Sequence, residues 1–217
     1  LDGLLLSGGN SIASLNPPDE DSSPERDAFE LALLSKSFDQ KIPVVGKLIQ
    51  INSKKYPKEV RYGDITKILL CDENKADNIY CSHTLEHMTL EGMQKSLKNI
   101  YQMLKPNGCF RVIVPNLKIR VEHYKDLGAN QFLASIGMGK KNGNKNFVDR
   151  LRTVFGNSNH LWMYDEDSMK IYLTEAGFKN IVSCKFGDSG IDAFSEVEEE
   201  HRFVDGKFIE VAFQCTK

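Results

Sequence analysis

Apolar and polar positions along this 217-residue chain follow two rhythms. From Leu90 to Leu104 the apolar residues Leu90, Met93, Leu97, Ile100, Tyr101 and Leu104 recur every three or four positions. That spacing predicts a helix lying with one stripe on a sheet. Before it, the short apolar run Ile79-Tyr80-Cys81 ends in a polar cluster, Ser82 to His87. After it, Pro106-Asn107-Gly108 breaks the chain, and Cys109 to Val114 forms a β-rich run closed by Pro115. Strand, polar loop, helix, turn and strand make one βαβ unit. In such sheets ligands collect at the carboxyl ends of the strands. Here those ends carry Ser82, His83, Glu86 and His87 after the first strand and Asn116 after the second.

The flanks extend the pattern. Gly3 to Leu6 predicts a short strand followed by the turn Ser7-Gly8-Gly9-Asn10, and Asn16 to Ser23 is a polar, acidic loop. Ser23 caps a predicted helix with Pro24 at its first position and Ala28, Phe29, Ala32, Leu33 and Phe38 on its buried side. Ile42 to Val45 predicts a second strand, ending at Gly46, and Leu48 to Ile51 another. Ile119, Val121, Tyr124, Leu127, Phe132 and Leu133 suggest one or two helices before the basic, glycine-rich stretch Gly137 to Asn146. Asp165 caps a predicted helix running to Ala176, stopped by Gly177. Asn180 to Phe186 predicts a strand, Gly187-Asp188-Ser189 a turn, and Glu196 to Glu200 a solvated acidic patch. The alternation from Phe208 to Gln214 predicts a final strand at an antiparallel sheet edge.

Composition narrows the function classes. Hydrophobic residues make up 41%, enough for a packed core, and charged residues 27%. A net charge of −2 gives no polyanion-binding signal, so nucleic acid is not expected as a partner. No stretch reaches the length of a membrane span. The five cysteines, at unpatterned spacings and with no CxxC pair, are expected to be free thiols in a reducing cytoplasm. The start Leu1-Asp2-Gly3 has no initiator Met and no basic stretch, as expected of a cropped chain rather than a signal peptide. Oligomeric state is left open.

The Ser82–His87 cluster carries the most chemistry. His83 and His87 share a face if the segment is helical. Two histidines and one glutamate without a third distant ligand do not make a metal site, so no metal is expected. A base or substrate-positioning role for His83 stands beside a structural one. For Glu86 and His87 the reading is a turn at the helix start, where a carboxylate offsets the helix dipole. Near the only Trp, Trp162, His160 has no evident structural need and is a candidate for the acceptor pocket.

Several pieces in order bear a resemblance. Tyr62-Gly63-Asp64-Ile65, the run from Asp77 to Met88 with Tyr80-Cys81-Ser82-His83, Leu104 to Gly108, Val114 to Leu117, Gly156 to Trp162 and Ala176-Gly177-Phe178 resemble class I S-adenosylmethionine (SAM)-dependent methyltransferases. The resemblance covers residues 47–217. It implies an α/β, Rossmann-like sheet, mostly parallel with an antiparallel C-terminal edge and flanked by helices. It implies methyl transfer from SAM to a small-molecule acceptor, with 118–164 as a lid or acceptor region. In that register Asp64 accepts from the adenine amino group and Ile65 packs on the ring, unless Asp64 is simply a helix cap. Cys81 and Ser82 approach the methionine end of the cofactor. Asn52 stands where an acidic residue takes the ribose hydroxyls and lacks the charge of one.

Residues 1–46, with Asp2 to Gly9, Glu25 to Glu30 and Ile42 to Gly46, resemble the front of a class I glutamine-amidotransferase-like hydrolase, of the γ-glutamyl-CDP-amidate type. No cysteine nucleophile follows Gly46, so hydrolysis is not expected. The glycine-rich cofactor turn has no clean match, and this segment supplies or replaces the first β-α-β. Gly8 and Gly9 then occupy the cofactor turn, or form an ordinary one. The pairing of the two segments is similar to neighbouring enzymes of capsule O-methyl phosphoramidate synthesis, which implies a phosphoramidate or sugar-linked acceptor; Lys140, Lys141 and Lys145 either hold such an anion or belong to a solvated loop. A fusion without a complete SAM site is the competing expectation.

Overall fold

The computed structural model describes residues 4–7, 44–46, 60–62, 65–66, 73–138 and 160–217. The first three stretches are short strands, β1 (Leu4–Ser7), β2 (Val44–Gly46) and β3 (Val60–Tyr62). They join β4 (Ala76–Ser82), β5 (Leu104–Val114), β6 (Lys179–Ser183) and β9 (Val211–Thr216) in one seven-stranded sheet. Its order is β3-β2-β1-β4-β5-β9-β6. From β3 to β5 every pairing is parallel, and β9 pairs antiparallel with β5 and with the outermost β6. The fold is thus the expected α/β sheet with an antiparallel C-terminal margin. A two-stranded hairpin of β7 (Val204–Asp205) and β8 (Phe208–Ile209) stands apart from it, so the final strand of the sheet begins at Val211 rather than Phe208.

Strands from both sides of the Gly46–Lys47 junction share this sheet. The predicted helix after Ser23, the predicted strand Leu48 to Ile51, and Gly8, Gly9, Asn52, Asp64, Lys140, Lys141 and Lys145 lie outside the described residues.

Helix α1 (Leu90–Met103) follows β4 and crosses back over the sheet. Thr89 caps it, its Oγ1 accepting from Gly92 N at 3.1 Å. Its buried stripe is Met93, Ser96, Leu97, Ile100 and Met103, close to the periodicity of the sequence, with Tyr101 packed at the margin. Each fully buried aliphatic side chain here stabilises the fold by about 1.5–3 kcal/mol relative to exposure. Regular pairing of β5 with β4 starts at Cys109 opposite Asn78, and the predicted Pro106-Asn107-Gly108 break is an irregularity inside β5. Asn107 there takes a φ of 64°.

After β5 come two short helices, α2 (Leu117–Glu122) and α3 (Tyr124–Ser135). Helix α4 (Glu166–Glu175) carries the Asp165 cap in a reciprocal box with Ser168, and Gly177, at φ 104°, ends the turn beyond it. A single turn, α5 (Asp192–Ser195), and a 3-10 turn at Glu200–Arg202 precede the hairpin.

Alternation along β4 and β5 divides the core. Ile79, Cys81, Phe110, Val112 and Val114 face α1 and α4 on one side, while Tyr80 and Ile113 meet Phe194, Val197 and Phe203 on the other. The expected acidic surface patch contains a buried exception. Glu198 is wholly buried and paired with Arg111 of β5, whose guanidinium also reaches Gln214 Oε1 at 2.8 Å and Asp188 Oδ1 at 2.9 Å. Val197 beside it joins the core, so Glu196 to Glu200 is not solvated throughout.

Candidate active site

The order β2-β1-β4 defines the site. Strand β1 is flanked by β2, which precedes β3 outward, and by β4, which leads the other way, so connections diverge to both sides of β1. This is the switch point where open α/β sheets leave a crevice beyond their carboxyl ends. Register brings four strand ends level there: Ser7 pairs with Gly46 and with Ser82, and Gly46 with Tyr62.

At that edge β4 presents the residues expected from the sequence. Cys81 is fully buried on the α1 side, and burial pushes its thiol pKa up, which makes it a packing group. Ser82 is buried, and Tyr80 shares its face of the strand. Neither Tyr80 Oη nor Ser82 Oγ reaches hydrogen-bond geometry among the described residues. The two hydroxyls nevertheless stand close enough for Ser82 to bear on the Tyr80 phenol, whose pKa burial pushes up. An unsatisfied buried hydroxyl costs about 1–3 kcal/mol, and a ligand that hydrogen-bonds it recovers that cost. Ile65 is buried against the same core, its carbonyl held by Asn99 Nδ2 at 2.5 Å. These features fit a nucleoside cofactor with a polar tail.

Beyond Ser82 the chain turns sharply. His83 takes φ 49°, and its N–H donates to Ile113 O at 2.9 Å, which fixes the exit from the strand. The predicted shared helical face of His83 and His87 does not form, because only Leu85–His87 make a 3-10 turn. Even so, the two rings converge on one atom: His83 Nδ1 and His87 Nε2 each lie 3.6 Å from Glu86 Oε1. The expected turn before the helix forms, and within it Glu86 is fully buried. Burial pushes its pKa up, but the facing imidazoles of His83, His87 and His160 outweigh that and take it down to about 2.

His160 arrives from far along the chain. Leu161 N and Trp162 N donate to Glu86 O at 2.7 and 3.2 Å, and Tyr164 Oη donates to Leu85 O at 3.2 Å. These bonds clamp the 160–164 segment onto the 85–87 turn. The His160 ring meets that of His87 edge-on at 5.1 Å, and burial lowers its pKa to about 4, so it is neutral at pH 7. Gly137 backs the ring, and a Cβ there would come within 2.6 Å of it. Trp162 is half-exposed. Sequence reading found His83 and His160 separately. It missed that Glu86 joins them, because only the tertiary clamp brings them together.

A second polar knot supports the end of β5. Asn116 N donates to Glu210 Oε2 at 2.8 Å, and Arg120 meets both oxygens of the same carboxylate at 2.7 Å. Nothing in the local pattern around Arg120 or Glu210 signals this pair.

A family described as methyltransferase domain matches residues 18–183. The chain belongs to that family. No curated protein sequence matches it significantly. Among solved structures, a SAM-dependent methyltransferase of Archaeoglobus fulgidus is similar over 100% of this chain and 86% of its own, at 14% identity and a TM-score of 0.52. A SAM-dependent methyltransferase of Methanosarcina mazei is similar over 100% of this chain and 92% of its own, at 12% identity and a TM-score of 0.50. The fold of this methyltransferase-family chain is therefore the Rossmann-like one of SAM-dependent enzymes, and SAM is the cofactor that goes with it. The family match runs through the Gly46–Lys47 junction.

Proposed function

We propose that the protein transfers the methyl group of SAM to a small-molecule acceptor at the carboxyl edge of β1 and β4. The observation that carries this reading is the switch point, where level strand ends meet a buried Ser82 hydroxyl short of partners. Ser82 and the backbone at Cys81 hold the methionine end, and Ile65 packs on the adenine. Gly8, Gly9, Asn52 and Asp64 complete the cofactor contacts as the resemblance implies. SAM brings a methyl already activated by its sulfonium, so the protein's task is alignment and exclusion of water. On the acceptor side we assign His83 and His160. The Nε2 of His83 faces Arg202 O at 3.0 Å, so this ring positions rather than shuttles protons. His160, neutral at pH 7, keeps a lone pair for a proton or a cation.

We assign the acceptor to phosphoramidate or sugar-linked intermediates of capsule synthesis. Support comes from the hydrolase-like first 46 residues and the lysines at 140, 141 and 145. Isothermal titration with SAM and S-adenosylhomocysteine tests the cofactor reading, and Ser82→Ala is expected to weaken binding by up to about tenfold. No heat with either ligand sinks it and favours a fusion that folds without a complete cofactor site, a reading to which the uncharged Asn52 lends weight. Transfer of labelled methyl from SAM to candidate acceptors tests the substrate.

A further inference from the structure

We propose that Glu86, His87 and His160 bind one divalent transition-metal ion of the zinc type beside the carboxyl end of β4. One ligand atom from each residue lies within 4.8 Å of the others. The Glu86–His87 contact, at 3.6 Å, is close to the edge of a tetrahedron of about 3.4 Å built on metal–ligand bonds of about 2.1 Å. His160 has only to swing inward to complete the triangle. Two imidazoles and one carboxylate are a donor set that zinc favours, and three protein ligands leave a position open for water or an acceptor atom.

Two further observations call for a cation at this place. Glu86 is fully buried, and neither of its carboxylate oxygens has a hydrogen-bond partner among the described residues. A buried carboxylate left in that condition is costly unless a positive charge faces it. The second observation is the tautomer of His83. Its Nε2 lies 3.0 Å from the carbonyl oxygen of Arg202, which only accepts, so Nε2 carries the proton. A neutral His83 then turns the Nδ1 lone pair toward Glu86 Oε1, 3.6 Å away. Two acceptors facing each other in a buried pocket require a cation near them, either a proton on the ring or a metal on the carboxylate.

The surroundings hold the donors in place. The clamp from Leu161 N and Trp162 N to Glu86 O ties the two ligand-bearing segments together. Gly137, at φ 67°, leaves the His160 ring the space that a side chain would take. The metal site does not rest on methyl transfer, because every ligand in it belongs to the chain and the test uses no SAM.

The test is titration of the chelator-treated protein with Co2+, without SAM, followed by displacement with Zn2+. We expect d–d absorption bands that saturate at one equivalent and vanish as zinc replaces cobalt. Glu86→Gln and His160→Ala should each weaken cobalt binding about tenfold or more, while the exposed His201→Ala leaves it unchanged. Circular dichroism melting shows whether each variant folds, and His160→Gln substitutes for an alanine variant that does not. The stoichiometry of the unaltered protein tests whether one ion binds, and the variants test which residues bind it. Absence of cobalt bands, with imidazolium signals of His83 or His87 persisting above neutral pH by nitrogen-edited NMR, overturns the proposal, because protons then balance Glu86. Equal affinity in Glu86→Gln and the unaltered protein overturns it as well.

Discussion

Single side chains decide how a buried ion pair is tolerated, as at Arg111 and Glu198. Arg111 of β5 has no exposed side-chain surface, and its partners Glu198, Asp188 and Gln214 come from distant positions. Removing Glu198 leaves the buried Arg111 with only the part-exposed Asp188 as counter-charge, at a cost of up to about 3–5 kcal/mol. Glu198→Ala should therefore lower urea-unfolding stability by that amount, and Glu198→Ala/Arg111→Met together by clearly less. Gly137 is a second such position. An added methyl meets the His160 ring and must also hold a left-handed backbone, a conformation costing about 1–2 kcal/mol. Gly137→Ala should lower the melting temperature and weaken cobalt binding together, whereas Gly128→Ala, with open space around it, should affect stability alone. Thiols give a third readout. Burial pushes Cys81 and Cys215 up in pKa, so both should resist alkylation in the native protein and react once urea unfolds it, counted by mass spectrometry.

At the scale of elements, the strongest local signals became the most regular pieces. The period of Leu90, Met93, Leu97 and Ile100 is that of a helix pressed on a sheet, and α1 follows it. Asp165 and Gly177 bracket α4 as their chemistry requires. Asp165→Ala should cost about 1 kcal/mol. The carboxyl of Asp165 is held below the usual range, first by the hydroxyl of Ser168 and then by its N–H. The cap is therefore at full strength above the unfolded-state pKa of an aspartate. It fades as pH falls through the lower folded value, so the stability gap between the protein and Asp165→Ala should shrink in acid, as denaturation curves at several pH values will show. Where the sequence misled, the cause was tertiary. Glu198 lies in an acidic run that looks solvated until Arg111 is placed opposite it. Glu86 looks like a helix-dipole residue until the 160–164 segment covers it. His160 was visible as a residue without a structural purpose, but its partners were not, since pairing across such separations leaves no local periodicity.

For the molecule as a whole, the sheet order puts the strand at residues 4–7 in the interior of the sheet. β1 is hydrogen-bonded to β2 on one side and β4 on the other. It is synthesised before its partner β4, which appears only after the intervening strands, so its pairing waits on a distant stretch of chain. Deleting residues 1–7 would split the parallel half of the sheet and leave β4, whose Ile79 and Cys81 are buried in the core, with bare amide and carbonyl groups along one side. Such an exposed strand margin is a template for pairing with another molecule. The shortened chain should accordingly form assemblies in light scattering before it shows any loss of α1 helicity. Those four residues thus do for the mature protein what a cap does for a helix, keeping its most adhesive backbone occupied from within.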